Sequence, residues 1–281
     1  MMTSVTSPTS PVLTSFANPH VKATVALRDR RERDRSGLTL IDGAREVRRA
    51  LDAGAEIVEA FVCDPLLAGP DARAALDLLR ERGVPVQPTS EGVFAKLAFG
   101  ERAEGILAVA RIPSLDLADL VLPDDPLVVV IEGVEKPGNL GAVLRSADGA
   151  GADAVIAASP RTDLFNPNAI RASAGTMFTV ATAAAPTPEV TAWLREGGLR
   201  IVAARVGAGR AYTDADLTGP LALVLGAEAD GLTDAWTADG IEAVHLPMLG
   251  VADSLNVSIS AAILLYEARR QRGLPSPDRK E

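Results

Sequence analysis

Five polar side chains, far apart along the chain, have the types that a group-transfer site needs. Asn139 and Arg145 follow one apolar stretch, Glu228 follows a second, and Ser254 and Asn256 precede a third helical segment. A guanidinium in such a place suits an oxyanion or a phosphate. A surface arginine and ordinary helix caps are the alternative interpretation, and these residues alone leave both open.

The first stretch, residues 131–156, is predicted to form a strand, a loop, a helix and a second strand. Loops at the carboxyl ends of parallel strands are where such sheets bind ligands. Gly133 and Gly138 have the spacing of a phosphate loop, but Asn139 stands where that motif requires lysine. The glycine fingerprint of dinucleotide-binding enzymes is also missing after the strand. We expect Asn139 near the helix start and Arg145 on much the same side of the helix.

The second and third stretches each join a strand to a turn. Residues 221–232, LALVLGAEADGL, predict a buried strand in which Gly226 permits a flat ligand to approach and Glu228 places a carboxylate at the sheet edge. Residues 244–272 predict a short apolar strand, then a turn rich in Gly, Asp and Ser, then an amphipathic helix. The serine and asparagine at the last junction could cap that helix.

These loops require sheets of largely parallel strands, and the chain alternates helices and strands throughout. Residues 16–112 predict a small α/β domain, and residues 127–273 predict a second α/β domain with a mainly parallel sheet. The proline- and aspartate-rich residues 113–126 are expected to connect them. The Ser/Thr/Pro bias of residues 1–15 predicts a disordered leader, and residues 274–281 a tail.

Charge is unevenly distributed along the chain. The net charge is −9, yet nine basic residues face only five acidic ones between residues 18 and 49. A local basic surface on an acidic protein is compatible with phosphate contacts at one face, although a solvated helix with alternating charges is an equal alternative. The candidates for such contacts with nucleic-acid phosphates are Lys22, Arg28, Arg31 and Arg45.

Composition excludes several classes of protein. Cys63 is the only cysteine, which excludes an internal disulfide, and with only His20 and His245 besides, we expect no zinc or other metal site. No apolar run approaches the roughly 18 residues that a membrane span needs, and the N-terminus has no secretory signal pattern. We therefore expect a cytoplasmic protein without membrane attachment.

Together the three stretches resemble the three motifs of the SpoU/TrmH family, the RNA ribose 2′-O-methyltransferases of the SPOUT class. The motifs here are N-L-G-A-V-L-R, then L-G-A-E-A-D-G-L, then L-P-M-L-G-V-A-D-S-L-N-V-S-I-S. The resemblance covers about residues 125–273. Less sharply, NPHVKATVALRDRR and GAREVRRAL make residues 16–112 similar to the ribosomal-protein-L30e-like substrate-binding domain of the ribosomal RNA members.

The resemblance implies a fold, a cofactor and an assembly. The C-terminal SPOUT domain should be a parallel α/β sheet with a deep trefoil knot, an exception to the rule that chains do not thread themselves. A smaller L30e-like α/β domain precedes it. The family is dimeric through the knotted domain, and each site borrows residues from its partner. It binds S-adenosylmethionine, and the matching cofactor-contacting positions are Gly226, Leu246, Met248, Ser254, Leu255 and Asn256.

By the same matching, Arg145 takes the place of the family's catalytic arginine, with Asn139, Glu228, Ser254 and Asn256 around it. A guanidinium has a pKa above about 12 and stays protonated in proteins. We therefore expect Arg145 to hold a neighbouring phosphate and developing negative charge rather than to act as a base. Glu228 or solvent would accept the proton of the attacking ribose hydroxyl.

The resulting prediction is an S-adenosylmethionine-dependent enzyme that methylates a ribose 2′-hydroxyl of ribosomal RNA, most simply of the large-subunit 23S type. Transfer RNA is a close alternative substrate, and a catalytically silent RNA-binding module is the alternative from another class. A dehydrogenase is remote because the glycine fingerprint is missing. The sequence leaves a housekeeping role and an antibiotic-resistance role open. It does not name the nucleotide, because target choice depends on RNA shape.

Overall fold

The computed structural model describes residues 11–99, 104–227 and 230–273. The chain divides into two compact units between Pro113 and Ser114, called unit 1 and unit 2 below. Most of the expected leader and the whole expected tail lie outside the described residues. Residues 11–15, expected to be disordered, instead run beside the sheet of unit 1. Leu13 forms a parallel bridge with Thr89 and packs against the core, which offsets the cost of ordering this segment.

Unit 1 has a four-stranded mixed sheet with helices around it. The strands lie in the order β1-β4-β2-β3, and only β2 and β3 are parallel. The strands are β1 (Leu38–Asp42), β2 (Ile57–Val62), β3 (Val86–Pro88) and β4 (Ile106–Arg111). The helices are α1 (Pro19–Ala26), α2 (Arg30–Ser36), α3 (Ala44–Asp52), α4 (Gly69–Glu81) and α5 (Glu91–Leu97).

The charged segment at residues 20–34 is two helices rather than the one that its composition predicts. Asp29 has an extended backbone, and its carboxylate accepts a hydrogen bond from the backbone N–H of Arg31, so it caps α2. An aspartate that can cap a helix competes with continuing the preceding one, which is why α1 ends at Ala26.

Unit 2 has six parallel strands in the order β10-β8-β9-β5-β6-β7. The strands are β5 (Leu127–Glu132), β6 (Ala154–Ala158), β7 (Ala181–Ala185), β8 (Arg200–Ala204), β9 (Leu221–Leu225) and β10 (Ile241–Val244). The helices are α6 (Pro137–Ala150), α7 (Pro167–Ala172), α8 (Thr187–Glu196) and α9 (Val257–Gln271). The predicted α/β class with a parallel sheet is confirmed.

The position of β5 determines where ligands can bind. All six of its residues are buried, and it pairs with β9 on one side and β6 on the other. Because all six strands are parallel, the segments that follow β5, β8, β9 and β10 leave the same edge of the sheet. The two motif-bearing segments after β5 and β9 therefore lie side by side.

Residues 114–126, expected only to connect domains, are part of unit 2. Leu117, Leu120 and Leu122 pack against its core, and the backbone N–H of Ala184 donates to the carbonyl of Leu115 at 2.9 Å. In the described part of the chain, no helix is long and apolar enough to cross a membrane.

Candidate active site

A cleft of about 530 Å³ opens at the carboxyl edge of the unit 2 sheet. Its walls are the segments that follow β8, β9 and β10, together with the first turn of α9. Five of the six positions predicted to contact the cofactor line this cleft: Gly226, Leu246, Met248, Ser254 and Leu255. The sixth, Asn256, is the N-cap of α9, where its Oδ1 accepts a hydrogen bond from the N–H of Ser258.

Gly226 lets two backbone segments approach each other. A Cβ atom at this position would lie 2.2 Å from the carbonyl carbon of Gly231 and 2.5 Å from the nitrogen of Leu232. The nearby N–H of Gly231 donates to the carbonyl of Ala227 at 3.0 Å, closing the loop onto itself. The sequence predicts that Gly226 leaves room for a flat ligand to approach. In the structure, backbone atoms of the same chain already occupy the space beside this glycine. Glu228 lies in this loop but outside the described residues.

The fold brings two of the predicted catalytic residues together. The Nδ2 of Asn256 donates to the Oδ1 of Asn139 at 3.2 Å, although 117 positions separate them. Packing of α6 against α9 makes this contact possible. A pocket of about 80 Å³, lined by Asn139, Lys136 and Val257 among others, adjoins the pair. Val257 also lines the cleft described above, so the two cavities share a wall.

Arg145 stands apart from these residues within a single chain. It lies on the exposed face of α6 and makes no hydrogen bond or ion pair with any described residue. The expectation that Arg145 and Asn139 share one side of the helix is wrong: at 3.6 residues per turn, six positions place them about 120° apart. The guanidinium is therefore available to a group from outside the chain.

Sequence reasoning missed a buried carboxylate beside the cleft. Glu132, the last residue of β5, is only 4% exposed. Its oxygens accept three hydrogen bonds of 2.8 Å each, from the hydroxyls of Thr187 and Thr233 and from the backbone N–H of Thr233. A buried charge needs such partners. The network ties β5 to the start of α8 and to the segment that leaves the Gly226 loop. A charged residue closing an otherwise apolar strand was the available signal.

A second, exposed network joins the loops after β5 and β9. Arg161 pairs with Glu135 in the first loop and, at 2.9 Å, with Asp230 in the second. The pKa of Arg161 is raised chiefly by the hydrogen bond from its guanidinium to Glu135, and next by the hydrogen bond to Asp230. Exposed ion pairs contribute little stability, so this contact mainly sets loop geometry.

The four predicted RNA-contacting residues of unit 1 have different surroundings. Lys22 and Arg31 are exposed on α1 and α2. Arg45 pairs with Glu46 at 2.8 Å. The Nη2 of Arg28 donates to the carbonyls of Lys96, Leu97 and Ala98, at 2.7, 3.0 and 2.7 Å, at the end of α5.

Arg28 therefore has a structural function that its sequence context does not reveal. Replacing it by alanine leaves the last carbonyls of α5 without this donor, and we expect unit 1 to lose about 1 kcal/mol of stability. Faster hydrogen exchange of the α5 amides would measure this loss. The matched variant Lys22→Ala removes an exposed charge and should leave that exchange unchanged; equal exchange in both variants would contradict the structural function.

Among the described residues, no group of three or more His, Cys, Asp or Glu side chains is arranged to hold a metal ion. The cleft instead offers apolar side chains, several polar side chains and, at Gly226, backbone segments so close together that only glycine fits. Such surroundings suit a flat, partly apolar organic ligand.

Comparisons with known proteins identify the family. The model of the SpoU rRNA methylase family matches residues 126–266, and that of an MRM3-like substrate-binding domain matches residues 18–108. A 23S rRNA (uridine(2479)-2′-O)-methyltransferase of Streptomyces viridochromogenes is 32% identical over 88% of this chain and 87% of its own length. The chain belongs to the SpoU rRNA methylase family. The predicted family membership and the N-terminal substrate-binding domain are thus confirmed.

Solved structures of the family agree with the fold. A crystal structure described as an RNA 2′-O ribose methyltransferase superposes with a TM-score of 0.82 at 43% identity, covering 93% of this chain and 99% of the other. An rRNA methyltransferase from Sinorhizobium meliloti, solved with bound AdoMet, superposes with a TM-score of 0.85 at 29% identity, covering 95% and 99%. Both matches span the two units of the SpoU-family chain.

Proposed function

We propose that this protein transfers a methyl group from S-adenosylmethionine to the 2′-hydroxyl of a ribose in ribosomal RNA of the 23S type, in the cytoplasm. The observation that carries the proposal is the cleft in unit 2. It gathers five positions predicted to contact the cofactor, and the Asn139–Asn256 pair stands beside its wall. Relatives named as 23S rRNA methyltransferases and a neighbour solved with AdoMet support the same reaction.

The residues present fit the cofactor. When bound, S-adenosylmethionine supplies a methyl group on a positively charged sulfur. The closed backbone loop at Gly226 and the segment at Leu246 and Met248 would hold its flat and apolar parts. Asn139 and Asn256 orient the acceptor ribose, whose hydroxyl gives its proton to Glu228 or to solvent. Arg145 holds the adjacent phosphate and the developing negative charge.

A homodimer would complete this site. Five large apolar side chains of the third motif segment and α9 are exposed: Leu249, Val251, Leu255, Ile259 and Tyr266. Ile259 and Tyr266 are seven positions apart and so lie on one face of α9. A second copy of the chain covering this apolar surface would remove it from water. The same contact would allow Arg145, which has no partner among the described residues of its own chain, to reach the cleft of the other copy.

Two finer features of the family belong to the proposal as well. We infer that the segment between β10 and α9 is threaded through a neighbouring loop as a deep trefoil knot. We also infer that unit 1 binds RNA in the manner of L30e-like domains, with the exposed Lys22 and Arg31 on its binding surface. Loss of RNA affinity, with unchanged cofactor affinity, in a Lys22→Ala, Arg31→Ala double variant would test the second inference.

The dimer makes a testable prediction. Ile259 is 52% exposed in a single chain, and the proposed interface would cover it. Ile259→Glu would place a charge within that interface, so we expect a monomer with little or no methyltransferase activity. Light scattering coupled to size exclusion measures the mass. Val121, which is 91% exposed and lies far along the chain from α9, provides the control Val121→Glu.

Complementation tests the sharing of sites directly. Heterodimers of Arg145→Ala and Asn256→Ala subunits contain one site with both native residues if Arg145 serves the partner, and none if it serves its own chain. Recovery of activity on mixing two inactive homodimers supports the shared site. A dimeric Ile259→Glu variant, or no recovery in verified heterodimers, would contradict it.

The reaction itself is tested by tritium transfer from labelled S-adenosylmethionine to purified RNA. We expect label on 23S rRNA at one 2′-O position, mapped by comparing RNA from cells with and without the protein. Label on transfer RNA alone would show that transfer RNA, not 23S rRNA, is the substrate. RNA binding without methyl transfer would show that the protein is a non-catalytic RNA-binding module. Drug sensitivity of the same two strains separates a resistance function from a housekeeping one.

A further inference from the structure

Two nitrogen atoms in the wall of the cleft are buried without a hydrogen-bond partner. They are the Nε of Arg205 and the Nδ1 of His245, and neither has a partner among the described residues. Both residues line the cleft. Buried polar atoms in native proteins are almost always paired, because an unpaired donor loses its hydration without compensation. Two such atoms in residues that line one cleft are candidates for pairing with a polar group of a ligand.

The two side chains are neighbours at the sheet edge. Strands β8 and β10 end on the pair Ala204 and Val244, and the N–H of Arg205 donates to the carbonyl of Val244 at 2.8 Å. Residues 205 and 245 follow directly on this pair, so their side chains leave the same face of the sheet. One ligand group could contact both.

The arginine is held in place by the buried network described above. Its Nη2 donates to the carbonyl of Thr233, and the hydroxyl and N–H of Thr233 both donate to Glu132. One nitrogen of the guanidinium is thereby fixed, while Nε has no partner in the described part of the chain. A guanidinium oriented in this way loses little entropy when it binds a planar anion.

Charge decides which group of the ligand this is. Within the described residues, Arg205 is the one lysine or arginine that lines the cleft. S-adenosylmethionine carries a single anionic group, the carboxylate of its amino-acid portion, beside a cationic amine and a cationic sulfur. A carboxylate accepts two parallel N–H bonds from a guanidinium and can also accept one from an imidazole N–H.

We propose that Arg205 and His245 form a subsite that binds the carboxylate of S-adenosylmethionine. The subsite rests on the proposed function, since it assumes that this cofactor occupies the cleft. The subsite also predicts discrimination between ligands. The protein should bind the intact cofactor more tightly than any adenosine thioether or cofactor form that lacks the carboxylate.

Calorimetric titration of the RNA-free protein tests the subsite without turnover. The ligands are S-adenosylmethionine and its decarboxylated form, which differ in the carboxylate alone, and the proteins are the wild type and Arg205→Met. We expect the wild type to bind the decarboxylated ligand about 10- to 100-fold more weakly, the range of a charge-assisted hydrogen bond. Arg205→Met should bind both ligands with similar affinity. His245→Leu should give a smaller loss, again for the intact cofactor only.

The outcomes separate the subsite from the proposed function. Equal affinity of the wild type for both ligands overturns the subsite without any variant. Parallel weakening of both ligands in Arg205→Met also overturns it, and points instead to the ribose hydroxyls or to loss of the Thr233 contact. If Arg205→Met does not melt cooperatively, Arg205→Lys replaces it, with a reduced but retained preference for the carboxylate. A wild type that binds neither ligand would contradict the proposed function itself.

Discussion

Replacing Gly226 by alanine is expected to abolish measurable binding of S-adenosylmethionine. The added Cβ would lie 2.2 to 2.5 Å from three backbone atoms of Gly231 and Leu232, none of which can rotate away. The loop must therefore shift, and it forms one wall of the cleft. We expect a loss of affinity of at least 100-fold by calorimetric titration. Transfer of label to RNA should fall in parallel.

The control for this variant is another glycine near the cleft. A Cβ at Gly209 would meet no atom within 4 Å, so Gly209→Ala should bind the cofactor as the wild type does. Thermal unfolding distinguishes a displaced loop from a protein that no longer folds. Normal cofactor affinity in Gly226→Ala would show that the loop is not a wall of the cofactor site.

Replacing Arg145 by alanine is expected to lower kcat by about 100- to 1000-fold, the range for losing one donor that stabilises charge in a transition state. Arg145 is exposed and contacts no cofactor-lining residue of its own chain, so the affinity for S-adenosylmethionine should stay unchanged. Single-turnover rates on RNA together with calorimetric titration separate the two effects. Arg145→Lys should recover little, because an ammonium cannot form two parallel N–H bonds.

Arg195, another exposed arginine of unit 2, supplies the matched control. Its Nη2 donates to the carbonyl of Asp239 at 3.4 Å, and Arg195→Ala should leave kcat unchanged. Near-normal turnover in Arg145→Lys would contradict a planar, paired contact. A raised KM for RNA with normal kcat in Arg145→Ala would show that Arg145 contributes to RNA binding and not to stabilising the transition state.

The sequence predicted those elements whose own residues determine them. Strand β5 is a run of apolar residues ending at a charge, and it lies where that run predicts. Strand β7 consists of four alanines and a threonine, a composition that favours helix, and pairing with β6 determines its structure. The strand predicted from residue 244 lies earlier, at residues 241–244, because proline at 247 cannot donate to a ladder.

The site shows the same division. Motif order predicted which segments would meet, and Asn139 and Asn256 do meet. Neither the Glu132 network nor the Arg205–His245 pair could be predicted, because each depends on atoms that only the completed sheet brings together. Arg145 and Asn139 were expected on much the same side because they are less than two helical turns apart, but six positions still differ by about 120° around the axis.

The walls of the cleft come from residues between 204 and 260, while β5, at the centre of the same sheet, is made much earlier. Its partner β9 begins at Leu221, and the cap at Asn256 comes later still. During synthesis, unit 1 has all its own strands before residue 114, whereas the centre of the second sheet waits for distant partners. A newly made chain therefore completes unit 1, the proposed RNA-binding unit, first. A chain cut between residues 114 and 256 would keep the whole of unit 1 but would lack α9 and part of the cleft.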